Sequence, residues 1–115
     1  MFKILNLNNI KIAGLEKLPR ERYEISSEMH NPDAVLLRSA SMHEWPIPET
    51  VKAIGRAGAG VNNIPVDKFS SLGVPVFNTP GANANAVKEL VIAGMMMAAR
   101  QIGPAWDFSR SLSGT

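Results

Sequence analysis

The sequence predicts an α/β fold built around a parallel sheet. Short apolar runs alternate with longer mixed segments along the 115 residues, the order expected when parallel strands alternate with helices. Ala34–Leu37 (Ala-Val-Leu-Leu) is apolar at every position, which suits a strand covered on both faces. A chain of this length is one domain with one core.

The elements follow in order. Residues 3–7 read as a first strand, and residues 10–18 as a short helix ended by Pro19, since proline cannot continue a helix interior. Tyr23–Ser26 reads as the second strand and Ala34–Leu37 as the third. Residues 48–51 can make one helical turn opened by Pro48, a first-turn position that proline favours. Residues 52–56 give a fourth strand that enters a glycine-rich turn. Residues 65–72 form a helix with Pro65 near its start and Gly73 just past its end, the usual asymmetry of helix termini. Residues 74–77 are the fifth strand. About five strands with flanking helices are therefore expected.

The last helix has the plainest pattern. Over residues 85–100, Val87, Leu90, Val91, Met95 and Ala98 recur at spacings of three and four, which makes one face apolar. Asn85 serves as N-cap and Arg100 suits the negative end of the helix dipole. Met96, Met97 and Ala99 widen the stripe, so burial on more than one side is expected, with the Met run in a core or interface. Gly103-Pro104 should stop the helix, leaving residues 103–115 as a serine-rich linker or frayed tail.

Composition excludes several function classes. With no cysteine, neither a disulfide framework nor a thiolate metal site can form, and a reducing cytoplasm is the expected compartment. Twelve basic and ten acidic residues leave a formal charge of +2 without a clustered basic face, so no nucleic-acid partner is expected. No apolar run reaches the roughly 18 residues of a membrane span, and Asn6, Asn8 and Asn9 break the pattern of a signal peptide. His30 and His43 lack a sequence-visible carboxylate partner and read as surface residues. Neither a metal site nor a catalytic acid or base is expected here.

The most informative stretch is Gly55-Arg56-Ala57-Gly58-Ala59-Gly60-Val61-Asn62-Asn63. It follows a predicted strand, so it lies at the carboxyl edge of the sheet, where open α/β folds bind ligands. Glycines admit close backbone approach, consecutive amides can converge on a carboxylate or phosphate, and Arg56 adds a bidentate fork. It is no dinucleotide fingerprint: the third glycine is missing, the strand is the fourth, and no acidic residue follows at the expected distance. Equally, the glycines could serve only a tight connection. Arg38-Ser39-Ala40-Ser41 ends the third strand at the same edge. Two arginines there suit a doubly charged anion; each alone reads as a surface residue in weak ion pairs. Asn78, Asn83 and Asn85 add polar groups around the start of the long helix, or act as ordinary turn and cap residues.

Taken in series, Leu36-Leu37-Arg38-Ser39-Ala40, the glycine stretch through Ile64, Val76-Phe77-Asn78-Thr79-Pro80 and Ala82-Asn83-Ala84-Asn85-Ala86-Val87-Lys88-Glu89-Leu90 resemble the phosphoglycerate dehydrogenases of the D-isomer-specific 2-hydroxyacid dehydrogenase family. The likeness spans roughly residues 34–102. It implies a flavodoxin-like substrate-binding domain over residues 1–102, joined in the parent to an NAD-binding Rossmann domain absent from these residues. It further implies that Arg38 and Arg56 hold a substrate phosphate, with Ser39 also in the substrate site, that the backbone at Ala57, Gly58, Ala59 and Gly60 holds its carboxylate, and that Asn83 lies near substrate. Ala59 and Asn83 would also meet the cofactor, although many relatives have Thr where this chain has Ala59. The implied reaction oxidises 3-phosphoglycerate to 3-phosphohydroxypyruvate with NAD, in serine biosynthesis, in a homo-oligomeric parent. The family's His-Glu pair, catalytic arginine and nucleotide loop are not among these residues, so the chain alone is expected to be inactive and prone to self-association through its apolar helix. The competing reading is a stand-alone, non-catalytic module for a small carboxylate or phosphate. Receiver and flavin domains of like architecture are disfavoured by Asn6, Asn8 and Asn9, where acidic residues or a Ser/Thr-rich phosphate loop would be needed.

Overall fold

A computed structural model describes residues 1–114. The chain divides into two compact units, Met1–Pro80 and Gly81–Thr115.

The first unit is a five-stranded parallel sheet in the order β2-β1-β3-β4-β5. Its strands are β1 (Phe2–Asn6), β2 (Tyr23–Ser26), β3 (Ala34–Leu37), β4 (Ala53–Arg56) and β5 (Val76–Phe77). This is the flavodoxin-like order, with its reversal of winding between β1 and β3. Strand register aligns Leu5 with Val35 and Val35 with Ile54. Side chains at alternate positions share a face, so these residues and Leu37 form one buried surface. Phe69 of α2 (Val66–Ser71), Met42, Val51, Ile64 and Val74 pack against it. The opposite face carries Ile4, Leu36, Gly55 and Phe77; α1 (Ile12–Leu15) borders it across a cavity of about 230 Å³.

Several elements are shorter than the sequence suggests. After α1 the backbone tightens into turns, Lys17 donating to Gly14 and Leu18 to Leu15, so the helix expected over 10–18 keeps four residues. Residues 48–51 form a hydrogen-bonded turn, Val51 N to Pro48 O at 3.2 Å; one bond does not make a helical turn. β5 starts at Val76 because Pro75 has no donor and the Val74 amide is taken by the Phe69 carbonyl at 2.9 Å. Gly73 at φ 74 supplies the left-handed residue after α2.

Asp33, just before β3, fastens the amino edge of the sheet. Its Oδ2 accepts the Lys3 amide at 2.8 Å, its amide donates to the Lys3 carbonyl and its carbonyl accepts the Lys52 amide, while Lys52 Nζ lies 3.7 Å from Oδ1. The Lys3 backbone hydrogen bond, aided by the Lys52 charge, holds the Asp33 carboxyl below the usual aspartate range. A carboxyl depressed on folding stabilises above its unfolded value and loses that contribution as pH falls through the lower folded value. Asp33→Asn should therefore flatten the fall in stability below about pH 4, read by urea unfolding at stepped pH; an unchanged acid limb would contradict this.

The second unit comprises α3 (Ala84–Ala99) and α4 (Ile102–Ser111). The N-cap position of α3 is Asn83, two residues before the expected cap, and its side chain makes no capping bond; Asn85 Nδ2 instead donates to Glu89 Oε1 at 3.2 Å. Gly103-Pro104 does not open a tail. Gln101 turns left-handed at φ 49 and ends α3, and a new helix starts with Pro104 in its first turn, where a missing N–H costs nothing. Arg110 lies over the Trp106 ring at 4.6 Å, one turn away on α4. Thr115, the last residue of the expected tail, lies outside the described residues. The Met run is not buried: every described residue from 81 onward is exposed, Met95 and Met96 at 65% each. The apolar stripe is real, and its residues are exposed.

Candidate functional site

The carboxyl edge of the first unit gathers the loops after β1, β3, β4 and β5. At the reversal between β1 and β3, where a sheet of this order usually opens a crevice, the Asn8 side chain bridges the gap. Its Oδ1 accepts from the amides of Arg38 (2.9 Å) and Ala40 (3.3 Å), and its Nδ2 donates to Ser39 Oγ at 3.0 Å. The loops after β3 and β4 lie beside it, and they carry the arginines.

In the glycine loop, carbonyls and amides are used unequally. The Arg56 carbonyl accepts Thr79 Oγ1 at 3.4 Å, the Gly58 carbonyl the Thr79 amide at 3.0 Å, and the Ala59 carbonyl Asn78 Nδ2 at 2.9 Å. The Ala57 amide continues the ladder to the Leu37 carbonyl. The amides of Gly58, Ala59 and Gly60 have no acceptor among the described residues, and Ala59 and Gly60 are exposed. A loop with its acceptors tied down and its donors open is suited to an anion.

Arg56 lies across this loop. Its Nε donates to the Arg38 carbonyl at 2.6 Å. A Cβ added at Gly58 would meet Arg56 Cζ at 3.2 Å, and one at Gly60 would meet Nη1 at 3.2 Å. Neither glycine has positive φ, so neither is required by left-handed backbone. They leave room for the guanidinium, a reason the sequence alone did not separate from a tight turn. Residues 38–43, 56–66 and 78–79 contain no Asp or Glu, so no acidic residue within these segments offsets the two arginines.

Arg38, Ser39, Arg56, Ala57, Gly58, Ala59 and Gly60 thus share one edge of one unit. Arg38 and Ser39 are exposed and Arg56 half-buried. Asn83 belongs to the second unit, exposed at the start of α3. Sequence reasoning missed Asn63, whose Nδ2 donates to the carbonyls of Arg38 (3.2 Å) and Ala40 (2.8 Å). It also missed the bridging by Asn8, and His43, whose Nε2 lies 2.6 Å from the Asn62 carbonyl. Asn8 lies in the loop after β1 and Asn63 in the loop before α2, and no local spacing marks either. Both His43 and His30 are exposed, as read from sequence. Among the described residues no three His, Cys, Asp or Glu side chains gather to hold a metal, and no helix is long and apolar enough to cross a membrane.

These features define a flavodoxin-like α/β domain whose carboxyl edge carries an open-amide loop and two arginines. Residues 4–108 match the family described as D-isomer specific 2-hydroxyacid dehydrogenase, catalytic domain, and the chain belongs to that family. It is 31% identical over 106 residues to the D-3-phosphoglycerate dehydrogenase of Rattus norvegicus, covering 90% of this chain and 20% of that protein. It is 39% identical over 88 residues to the hydroxypyruvate reductase of Thermotoga maritima, covering 74% of this chain and 29% of that one. Among solved structures, the NAD+-bound 3-phosphoglycerate dehydrogenase of Entamoeba histolytica superposes with a TM-score of 0.70 at 29% identity, over 84% of this chain and 38% of that one. The chain spans between a fifth and two fifths of the length of these relatives.

Proposed function

We propose that the chain is the substrate-binding part of an NAD-dependent oxidoreductase that oxidises 3-phosphoglycerate to 3-phosphohydroxypyruvate, in cytoplasmic serine biosynthesis. The observation that carries this reading is the open-amide loop with the Arg56 guanidinium lying over it. Arg38, Ser39 and Arg56 take the phosphate, and the amides of Gly58, Ala59 and Gly60 take the carboxylate. Charge-assisted bonds of this kind are roughly twice as strong as neutral ones, which is why a doubly charged substrate fits better than a neutral one. The Thermotoga relative's name favours a second reading, an unphosphorylated 2-hydroxy acid at the same loop. Comparing 3-phosphoglycerate with glycerate separates the two.

NAD, bound in the parent, would accept the hydride from C2 of the substrate. The residues here do not form a site for its pyrophosphate: the glycine loop lacks the fingerprint, and no helix starts until Val66. Ala59 offers a methyl beside an already engaged carbonyl and an amide given to the carboxylate, so its contact with cofactor would be apolar. Asn83 is the chain's other cofactor-facing residue under this reading.

The proton of the 2-hydroxyl needs a base. His43 is engaged with the Asn62 carbonyl, and neither histidine has a carboxylate within ion-pair distance among the described residues. The 115 residues with NAD and 3-phosphoglycerate should therefore form no NADH above background, followed by absorbance. Sustained NADH formation would contradict the division of labour proposed here.

A further inference from the structure

Three side chains converge on the backbone of Arg38, Ser39 and Ala40. Asn8 takes the N–H side, accepting from the amides of Arg38 and Ala40. Asn63 takes the C=O side, donating to the carbonyls of the same two residues. Arg56 Nε shares the Arg38 carbonyl with Asn63. Two amides from different loops therefore hold one short segment by opposite edges, and that segment is the anchor of the Arg56 guanidinium.

The roles are set by donor chemistry. Asn63 Oδ1 is buried without a hydrogen-bond partner, so this side chain works through its two N–H bonds alone. A flipped amide would set Oδ1 against two carbonyl oxygens. Asn8 works in the reverse sense, mainly as an acceptor, with Nδ2 spent on Ser39 Oγ. Neither side chain is needed to close the hydrophobic core, which is built from Leu5, Val35, Leu37, Ile54 and Phe69 among others.

We propose that Asn8 and Asn63 are positioning residues for the anion grip, setting the backbone from which Arg38 projects and the carbonyl that aims Arg56. This rests on the reading of the glycine loop as the anion site. They act through the arginines and do not themselves need to touch the ligand.

The test follows the Arg56 Nε–H resonance in 15N–1H spectra of the 115-residue chain, first without ligand and then with inorganic phosphate. Asn8→Ala and Asn63→Ala should each speed Nε–H exchange about three- to tenfold, the loss of one hydrogen bond of ordinary net strength, with the sheet amides still dispersed. Asn8→Asp, which keeps the acceptor toward both amides, should restore slow exchange. A role confined to general stability would lower the unfolding midpoint and leave Nε–H exchange in step with the sheet amides. Unchanged Nε–H exchange in both alanine variants overturns the proposal. If an alanine variant loses its dispersed spectrum, Asn8→Ser and Asn63→Ser are measured in its place: faster Nε–H exchange supports the clamp and unchanged exchange overturns it. The phosphate arm separates the two ideas: if Arg56→Ala binds phosphate as the parent chain does, the anion-site reading fails, whatever the exchange data say of the clamp.

Discussion

Phe69→Ala should destabilise the first unit by about 3–5 kcal/mol, the usual cost of emptying a buried aromatic site. Phe69 is fully buried and is the one buried residue of α2, in a cluster with Leu37, Met42, Ile54 and Val35. It also bears the carbonyl that receives the Val74 amide before β5. Removing the ring takes away the apolar contact that seats α2 and so loosens the position of the carbonyl that the turn into β5 bonds. A domain of this size has a total stability of about 5–10 kcal/mol, so the variant loses about a third of it or more and its unfolding midpoint should fall well below that of the unsubstituted chain. Thermal unfolding by circular dichroism measures this; a midpoint within a few degrees of the parent would show that the core is not organised around α2.

Arg56→Ala should weaken binding of inorganic phosphate or 3-phosphoglycerate about tenfold to a hundredfold, as expected for a hydrogen bond to a charged group worth about 1.5–3 kcal/mol. Its fold should survive, because the side chain is half-buried and lies at the sheet edge. Gly60→Ala approaches the same question from the other side. Its Cβ would stand 3.2 Å from Arg56 Nη1, the far end of a flexible side chain, so the guanidinium moves and the backbone does not. Binding should fall severalfold with the charge intact, by roughly the cost of one misaligned hydrogen bond. Calorimetric titration reads both variants. If Gly60→Ala binds as well as the parent chain, the guanidinium does not act from the position seen here.

The sheet was legible because its strands are short segments, apolar throughout or in part, mostly bounded by polar, proline or glycine residues; Tyr23–Ser26 and Ala34–Leu37 match to the residue. The helices were less so. Over 10–18 only local turn bonds compete, and periodicity cannot report that loss. At 101–104 the sequence shows a break, but whether a proline ends one helix or starts the next depends on the left-handed Gln101, which glutamine gives no reason to expect. The Met stripe suggested burial because pattern reports apolarity, not the presence of a covering partner. At the site, the arginines and glycines were visible from residue type. Asn8 and Asn63 were not, because a clamp whose bonds span 23 to 32 positions of chain leaves no local spacing to read.

The central claim is that anion recognition resides at the carboxyl edge, on the loops after β3 and β4. The most direct measurement is a 15N–1H titration of the chain with 3-phosphoglycerate. Shifts should concentrate at the amides of Arg38, Ser39, Gly58, Ala59 and Gly60 and at Arg56 Nε–H, and should be lost in Arg56→Ala. Shifts confined to other segments, or an unperturbed glycine loop at saturating ligand, would contradict it.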